Sequence, residues 1–188
     1  VVEKKGVTNL SNMIGFNFRM GEIEAAIGIE QLRKGPQLIE ERKENVRYLE
    51  SQLQGLSGLA MPSVGPAGDH VYYVHVLDYD QQVTGVPRER LVQAIKAELP
   101  PTELREGEGP LMGMGYVRPL YMLPLFRHPA AAAGPASPIA RAHAAGQVSY
   151  ADGLCPNAER AHLTRVITHE MMRPGMRRED LDDVAAAF

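Results

Sequence analysis

Within the stretch IGFNFRMGEIEAAIGIEQLRK, residues 14–34, the hydrophobic period changes abruptly. Ile14, Phe16 and Phe18 alternate with Gly15, Asn17 and Arg19, so an extended segment here sets its apolar side chains on one face and Asn17 and Arg19 on the other. From Met20 onward the spacing is helical: Met20, Ile23 and Ile27 repeat along one side, while Ala25, Ala26 and Gly28 keep the helix slim. A chain with this join must carry an amide and a guanidinium side by side just ahead of a helix that other structure can approach closely.

The remaining pattern reads as an α/β alternation. The helix over 21–34 is predicted to break at Gly35-Pro36, where proline starts a second helix bearing Leu38, Ile39, Arg42, Val46, Leu49 and Leu53 on one side. HVYYVHVLD (70–78) is rich in β-branched and aromatic residues and reads as a strand. Leu91, Ile95 and Leu99 at four-residue spacing predict a helix over 87–99, followed by a Gly- and Pro-rich loop over 100–115. AAAAGPASP (130–138) reads as a mobile surface loop, PNAERAHL as a helix start and VITHEMMRP as strand. REDLDDVAAAF closes the chain as a helix with acids in its first turn, where the helix dipole favours them.

Composition excludes several classes. The 20 Lys and Arg are scattered among 23 acidic residues in a chain of net charge −3, with no basic stripe for nucleic acid. No apolar run approaches the roughly 18–20 residues that cross a membrane. The single cysteine, Cys155, allows no internal disulfide and fits a reducing compartment, so the cytoplasm is expected. The six histidines form no spacing that reads as a metal site. Ser149 and Cys155 lack the signature of a nucleophile, and GEGPLMGMG (107–115) does not follow the strand–loop–helix order of a dinucleotide fingerprint. The five lysines (Lys4, Lys5, Lys34, Lys43 and Lys96) all lie in polar settings. The chain opens without an initiator Met and stops inside a predicted helix, so a piece of a longer polypeptide is expected, with no complete active site of its own.

Four blocks in order carry a resemblance: GFNFRMGEIEAAIGIEQLRK with ERKENVRYLESQL, then HVYYVHVL, then RPLYMLPLF, then GLCPNAERAHL ahead of EDLDDVAAAF. Together they resemble the C-terminal portion of sugar aminotransferases of the DegT/DnrJ/EryC1/StrS family, which use pyridoxal 5′-phosphate (PLP). The likeness weakens only in 100–115 and 128–148. It implies the type I PLP-dependent aminotransferase fold. Residues 1–34 would be the end of the large PLP-binding domain with its connecting helix, and 35–188 the small C-terminal domain, helices packed on a short, mainly antiparallel sheet.

The same resemblance implies site residues. Asn17 matches an Asn that reaches across a homodimer interface to the PLP phosphate of the other subunit, with Arg19 beside it. On the residues alone, the plainer reading is favoured, in which Asn17 satisfies backbone groups at the helix entry and Arg19 makes a structural ion pair. Relatives carry a His where this chain has Tyr121, within a P-L-H-x-x-P pattern near the sugar. Two readings therefore stand for Tyr121: a hydrogen bond to a substrate hydroxyl or phosphate, or an aromatic packed beneath a domain interface. Arg118 is a candidate partner for the nucleotide diphosphate, whereas Pro156 and Glu159 are explained by helix initiation alone. No catalytic residue is expected in this chain, because the family's Schiff-base lysine lies upstream of the opening block. The implied activity of the longer protein is transfer of an amino group from glutamate to a keto-sugar nucleotide. The alternatives are a sugar dehydratase of the same fold, and a non-catalytic domain that associates with other subunits.

Overall fold

The computed structural model describes residues 20–100, 111–115 and 118–188. They divide into two compact units, one built from 118–159 and the other from 20–100, 111–115 and 160–188.

The larger unit is organised by α1, Glu22–Leu53. Its start is held by Glu24, whose carboxylate accepts the Gly21 N–H at 2.5 Å. Contrary to the sequence expectation, the helix does not stop at Gly35-Pro36; Pro36 sits inside it, and the 34/35 boundary falls in mid-helix. Proline's φ suits a helix, and its cost is one lost hydrogen bond and a local clash. Here Pro36 is exposed and well-formed turns flank it on both sides. The C-terminal half buries Val46, Leu49 and Leu53, spaced to share one face.

That face meets a four-stranded antiparallel sheet in the order β1-β2-β4-β3, comprising β1 (Leu59–Ala60), β2 (His75–Tyr79), β3 (Met112–Gly113) and β4 (Val166–His169). In β2 the alternation buries His75, Leu77 and Tyr79. Its register on β4 sets His75 opposite His169 and Leu77 opposite Ile167. Short α2 (Gln81–Thr84) leads into α3 (Arg88–Glu98), which adds Val92 and Ile95, and α8 (Arg178–Ala186) adds Leu181 and Val184 to the same core. Fully burying one such aliphatic side chain is worth roughly 1.5–3 kcal/mol.

The strands are shorter than their composition suggests. HVYYV does not pair, because the chain turns at Tyr72, which holds a positive φ of 51° while its N–H donates to His70 Nδ1 at 2.8 Å. β4 ends at His169, because the Met171 N–H turns back onto His169 Nδ1 at 3.2 Å. The segment read as a loop over 100–115 contributes β3, whose Met112 is buried opposite His169.

In the smaller unit, prolines open each short helix at its first turn: α4 (Pro124–Arg127), α5 (Pro129–Ala133) and α6 (Pro138–Ala144). The Ala-rich segment read as a mobile loop is thus mostly helical. Alanine's propensity favours that, Gly134 separates α5 from α6, and the Ser137 hydroxyl caps α6 by accepting the Ala140 N–H at 3.2 Å.

Candidate functional site

The segment RPLYMLPLF folds as a single 3₁₀ turn, Leu120–Met122, held between Pro119 and Pro124. This turn carries Tyr121 toward α7 (Pro156–Arg160), which belongs to the PNAER block. The Tyr121 hydroxyl donates to Glu159 Oε1 at 2.5 Å. Glu159 is in turn gripped by backbone: the Gly153 N–H lies 2.7 and 3.0 Å from its two oxygens, and the Cys155 N–H lies 3.4 Å from Oε1. Gly153 can aim its N–H this way because its φ is +86°, a conformation that favours glycine.

Electrostatics follow the geometry. The Tyr121 hydrogen bond, assisted by the backbone donors, holds the Glu159 carboxyl below its ordinary range, so it is ionised. Burial of the phenol and the charge of Glu159 push Tyr121 up to about 12. Its oxygen therefore keeps its proton near neutral pH, directed at Glu159. Nearby, Arg127 pairs with Asp152 and Phe126 packs on Tyr150 at 5.3 Å, which steadies the same loop. Arg118, two residues before the turn, is exposed. Asn17 and Arg19 lie outside the described residues. The structure thus joins Tyr121 to Glu159, which sequence reasoning explained as helix initiation alone, because nothing in the PNAER block signals a partner 38 residues away.

The larger unit holds a second polar arrangement that sequence reasoning missed. His75 and His169 are 0% and 1% exposed, and His75 Nδ1 lies 2.8 Å from His169 Nε2. His75 Nε2 reaches Glu50 Oε1 at 3.1 Å, and the Met171 N–H donates to His169 Nδ1. These contacts dictate the tautomers. Since His169 Nδ1 accepts, its proton is on Nε2 and donates to His75 Nδ1; His75 then carries its proton on Nε2 and donates to Glu50. Every nitrogen of the pair is satisfied only while both rings are neutral. Burial lowers the pKa of both, more than Glu50 restores for His75. Tyr72 and Phe188 pack their rings against His75 and His169 respectively.

Two arginines complete the framework of this unit. Buried Arg88 donates to three carbonyls around the π-helical turn Ala161–Arg165, those of His162, Leu163 and Val166, at 2.8–3.0 Å. Arg165 chelates Asp78 and pairs with Asp80, holding both carboxyls below their ordinary range. Both are committed to structure. Among the described residues no cluster of three or more His, Cys, Asp or Glu could hold a metal ion, and no helix is long and apolar enough to cross a membrane.

Comparison with known proteins gives a consistent result. The model of the DegT/DnrJ/EryC1/StrS aminotransferase family matches residues 2–188. Spore coat polysaccharide biosynthesis protein SpsC of Bacillus subtilis is 30% identical over 84 residues, which is 45% of this chain and 22% of that protein. DesV of S. venezuelae, solved in complex with a ketimine intermediate, superposes with a TM-score of 0.64 at 19% identity, covering 100% of this chain and 39% of its own. Helicobacter pylori PseC, an aminotransferase involved in the biosynthesis of pseudoaminic acid, gives a TM-score of 0.60 at 17% identity, covering 93% of this chain and 38% of its own. The structural likeness establishes a shared fold, the helices on a small antiparallel sheet described above. The chain spans well under half the length of each of these relatives.

Proposed function

Because the chain belongs to the DegT/DnrJ/EryC1/StrS aminotransferase family, we propose that it forms part of a PLP-dependent enzyme that moves an amino group from glutamate to a keto-sugar nucleotide in the cytoplasm. The observation that carries this reading is the family match along nearly the whole chain, 2–188. The part that SpsC plays in spore coat polysaccharide biosynthesis and PseC in pseudoaminic acid biosynthesis supports a sugar as the acceptor.

The described residues do not by themselves fit the cofactor's covalent end. Lys43 is buried, but its ammonium lies 2.9 Å from Asp69 and 3.0 Å from Glu40. Asp69 and then Glu40 raise its pKa, so it stays protonated and non-nucleophilic. Lys34 is exposed and Lys96 is half-buried on α3. The Schiff-base lysine therefore comes from outside these residues. PLP supplies the electron sink that such a transfer needs. The contribution of this chain is binding: Asn17, with Arg19 beside it, donates to the cofactor phosphate of the neighbouring subunit in a homodimer, Tyr121 meets the sugar, and exposed Arg118 meets the nucleotide diphosphate.

The test uses the longer polypeptide carrying this chain, incubated with PLP, glutamate and a nucleoside-diphosphate keto-sugar. Amino sugar and 2-oxoglutarate should form in equal amounts. Sugar dehydration without glutamate consumption would assign it to the dehydratases instead, and neither product would leave an association domain. Asn17→Ala should weaken PLP binding by about 10- to 150-fold, the loss of one hydrogen bond to a charged group. Mixing that variant with a subunit lacking the Schiff-base lysine should restore partial activity. No recovery despite subunit exchange would mean that Asn17 does not act across the interface.

A further inference from the structure

The Tyr121–Glu159 pair constrains the substrate more than a lone tyrosine would. A phenol has one proton and two lone pairs. Glu159 is an ionised carboxylate held by two backbone N–H groups, so it can only accept, and the 2.5 Å contact takes the Tyr121 proton. The Cys155 N–H also bonds the phenol oxygen, so what remains on Tyr121 is a single acceptor lone pair.

We infer that Glu159 is a positioning residue that fixes Tyr121 as a hydrogen-bond acceptor, so that the substrate group it recognises is a donor, a sugar hydroxyl, and not a phosphate or keto oxygen. This rests on the reading that Tyr121 faces the sugar. It narrows that reading to one chemical polarity. The backbone grip on Glu159 through Gly153 and Cys155 keeps the carboxylate in place before substrate arrives, so the polarity is preset and not induced. A histidine at the same position has a second nitrogen that either accepts or donates according to its tautomer, which this tyrosine has given up.

The experiment measures binding by calorimetry on the longer polypeptide, with a thymidine or uridine diphosphate hexose as one probe and the corresponding free nucleoside diphosphate as the other. Tyr121→Phe should weaken the hexose probe by about 2- to 10-fold, as for one neutral hydrogen bond, and leave the free diphosphate unchanged. Glu159→Ala should act on the same probe alone and add little to Tyr121→Phe, because both remove one preset acceptor. Glu159→Gln, which retains an oxygen to accept the phenol proton, should restore most of the affinity and guards against misfolding of the alanine variant. Equal weakening of both probes would show Tyr121 donating to phosphate and overturn the inference. No weakening of either, or no binding of either hexose, would overturn it as well. Tyrosine ring NMR adds an independent readout: Tyr121 should titrate at about 12 in the parent and lower in Glu159→Ala. If that lock and the probe selectivity hold while no amino sugar forms, the transaminase reading fails and the polarity of Tyr121 stands.

Discussion

Two long-range side-chain hydrogen bonds, one in each compact unit, make an instructive pair. His75–His169 joins two strands deep in the core, and Tyr121–Glu159 joins a turn to a short helix in the smaller unit. Burial shifts the pKa of His75, His169 and Tyr121 alike, but the two pairs differ in whether a charge is present. In the histidine pair, burial removes the option of charge, and the bond exists because both rings are neutral. In the tyrosine pair, a charge is present and held by backbone donors, and the bond exists because Glu159 is ionised. The first arrangement serves stability, since both rings are buried among the described residues. The second leaves the phenol oxygen with one acceptor position beyond its bond from the Cys155 N–H, which is what recognition needs.

The contrast can be broken at several points. The hydrophobic core should be the most sensitive: Leu49→Ala, which empties a fully buried site on α1, should cost about 2–5 kcal/mol in urea unfolding. His169→Phe keeps an aromatic of similar size but strands His75 Nδ1 and the Met171 N–H without partners. Each such buried group costs about 1–3 kcal/mol. A cost near zero would mean that the pair packs without its hydrogen bonds mattering.

Acid offers a third measurement. Both histidines are held below their ordinary value of 6.5 in the folded chain, so below that pH the unfolded chain binds more protons. Their stabilisation is complete above about pH 6.5 and is lost as pH falls toward the folded values, at up to about 1.4 kcal/mol per pH unit for each ring. Asp78 and Asp80 also lose their contribution in acid, but their window starts near the ordinary carboxylate value of 3.8. Unfolding measured between about pH 6.5 and 4.5 therefore reports the histidines, and the slope should flatten in His169→Phe. The smallest effect is expected for Tyr121→Phe, which removes one bond to a half-exposed carboxylate and should lower the urea midpoint only slightly while altering sugar binding. A destabilisation comparable to that of His169→Phe would place Tyr121–Glu159 with the core and remove its claim to recognition.

Local periodicity settled a good deal in advance. The spacing of Val46, Leu49 and Leu53, the buried Ile95 and Leu99 of the expected Leu91–Ile95–Leu99 stripe, and the acid-headed terminal helix are legible because each depends on neighbours within a few turns, whereas Val92, not Leu91, completes the buried face of α3. The order of four sequence blocks was enough to indicate the family and the layer of helices on a small antiparallel sheet. Where a breaker met a longer-range influence, local reading failed: Pro36 was absorbed into α1, whose far half is anchored by the core. Burial along that helix was not legible either. Ile23 and Leu49 are both apolar residues on one helix, yet they are 78% and 0% exposed, because only the second half has a sheet and α8 against it. The pairings that distinguish this protein belong wholly to tertiary structure. His75 and His169 are 94 residues apart and meet only because β2 and β4 pair in one register, while Tyr121 and Glu159 are 38 apart and meet only because a 3₁₀ turn and α7 are brought together. A hydrogen bond requires two atoms within about 3 Å, and no period along a chain encodes a distance between segments that only folding brings into contact.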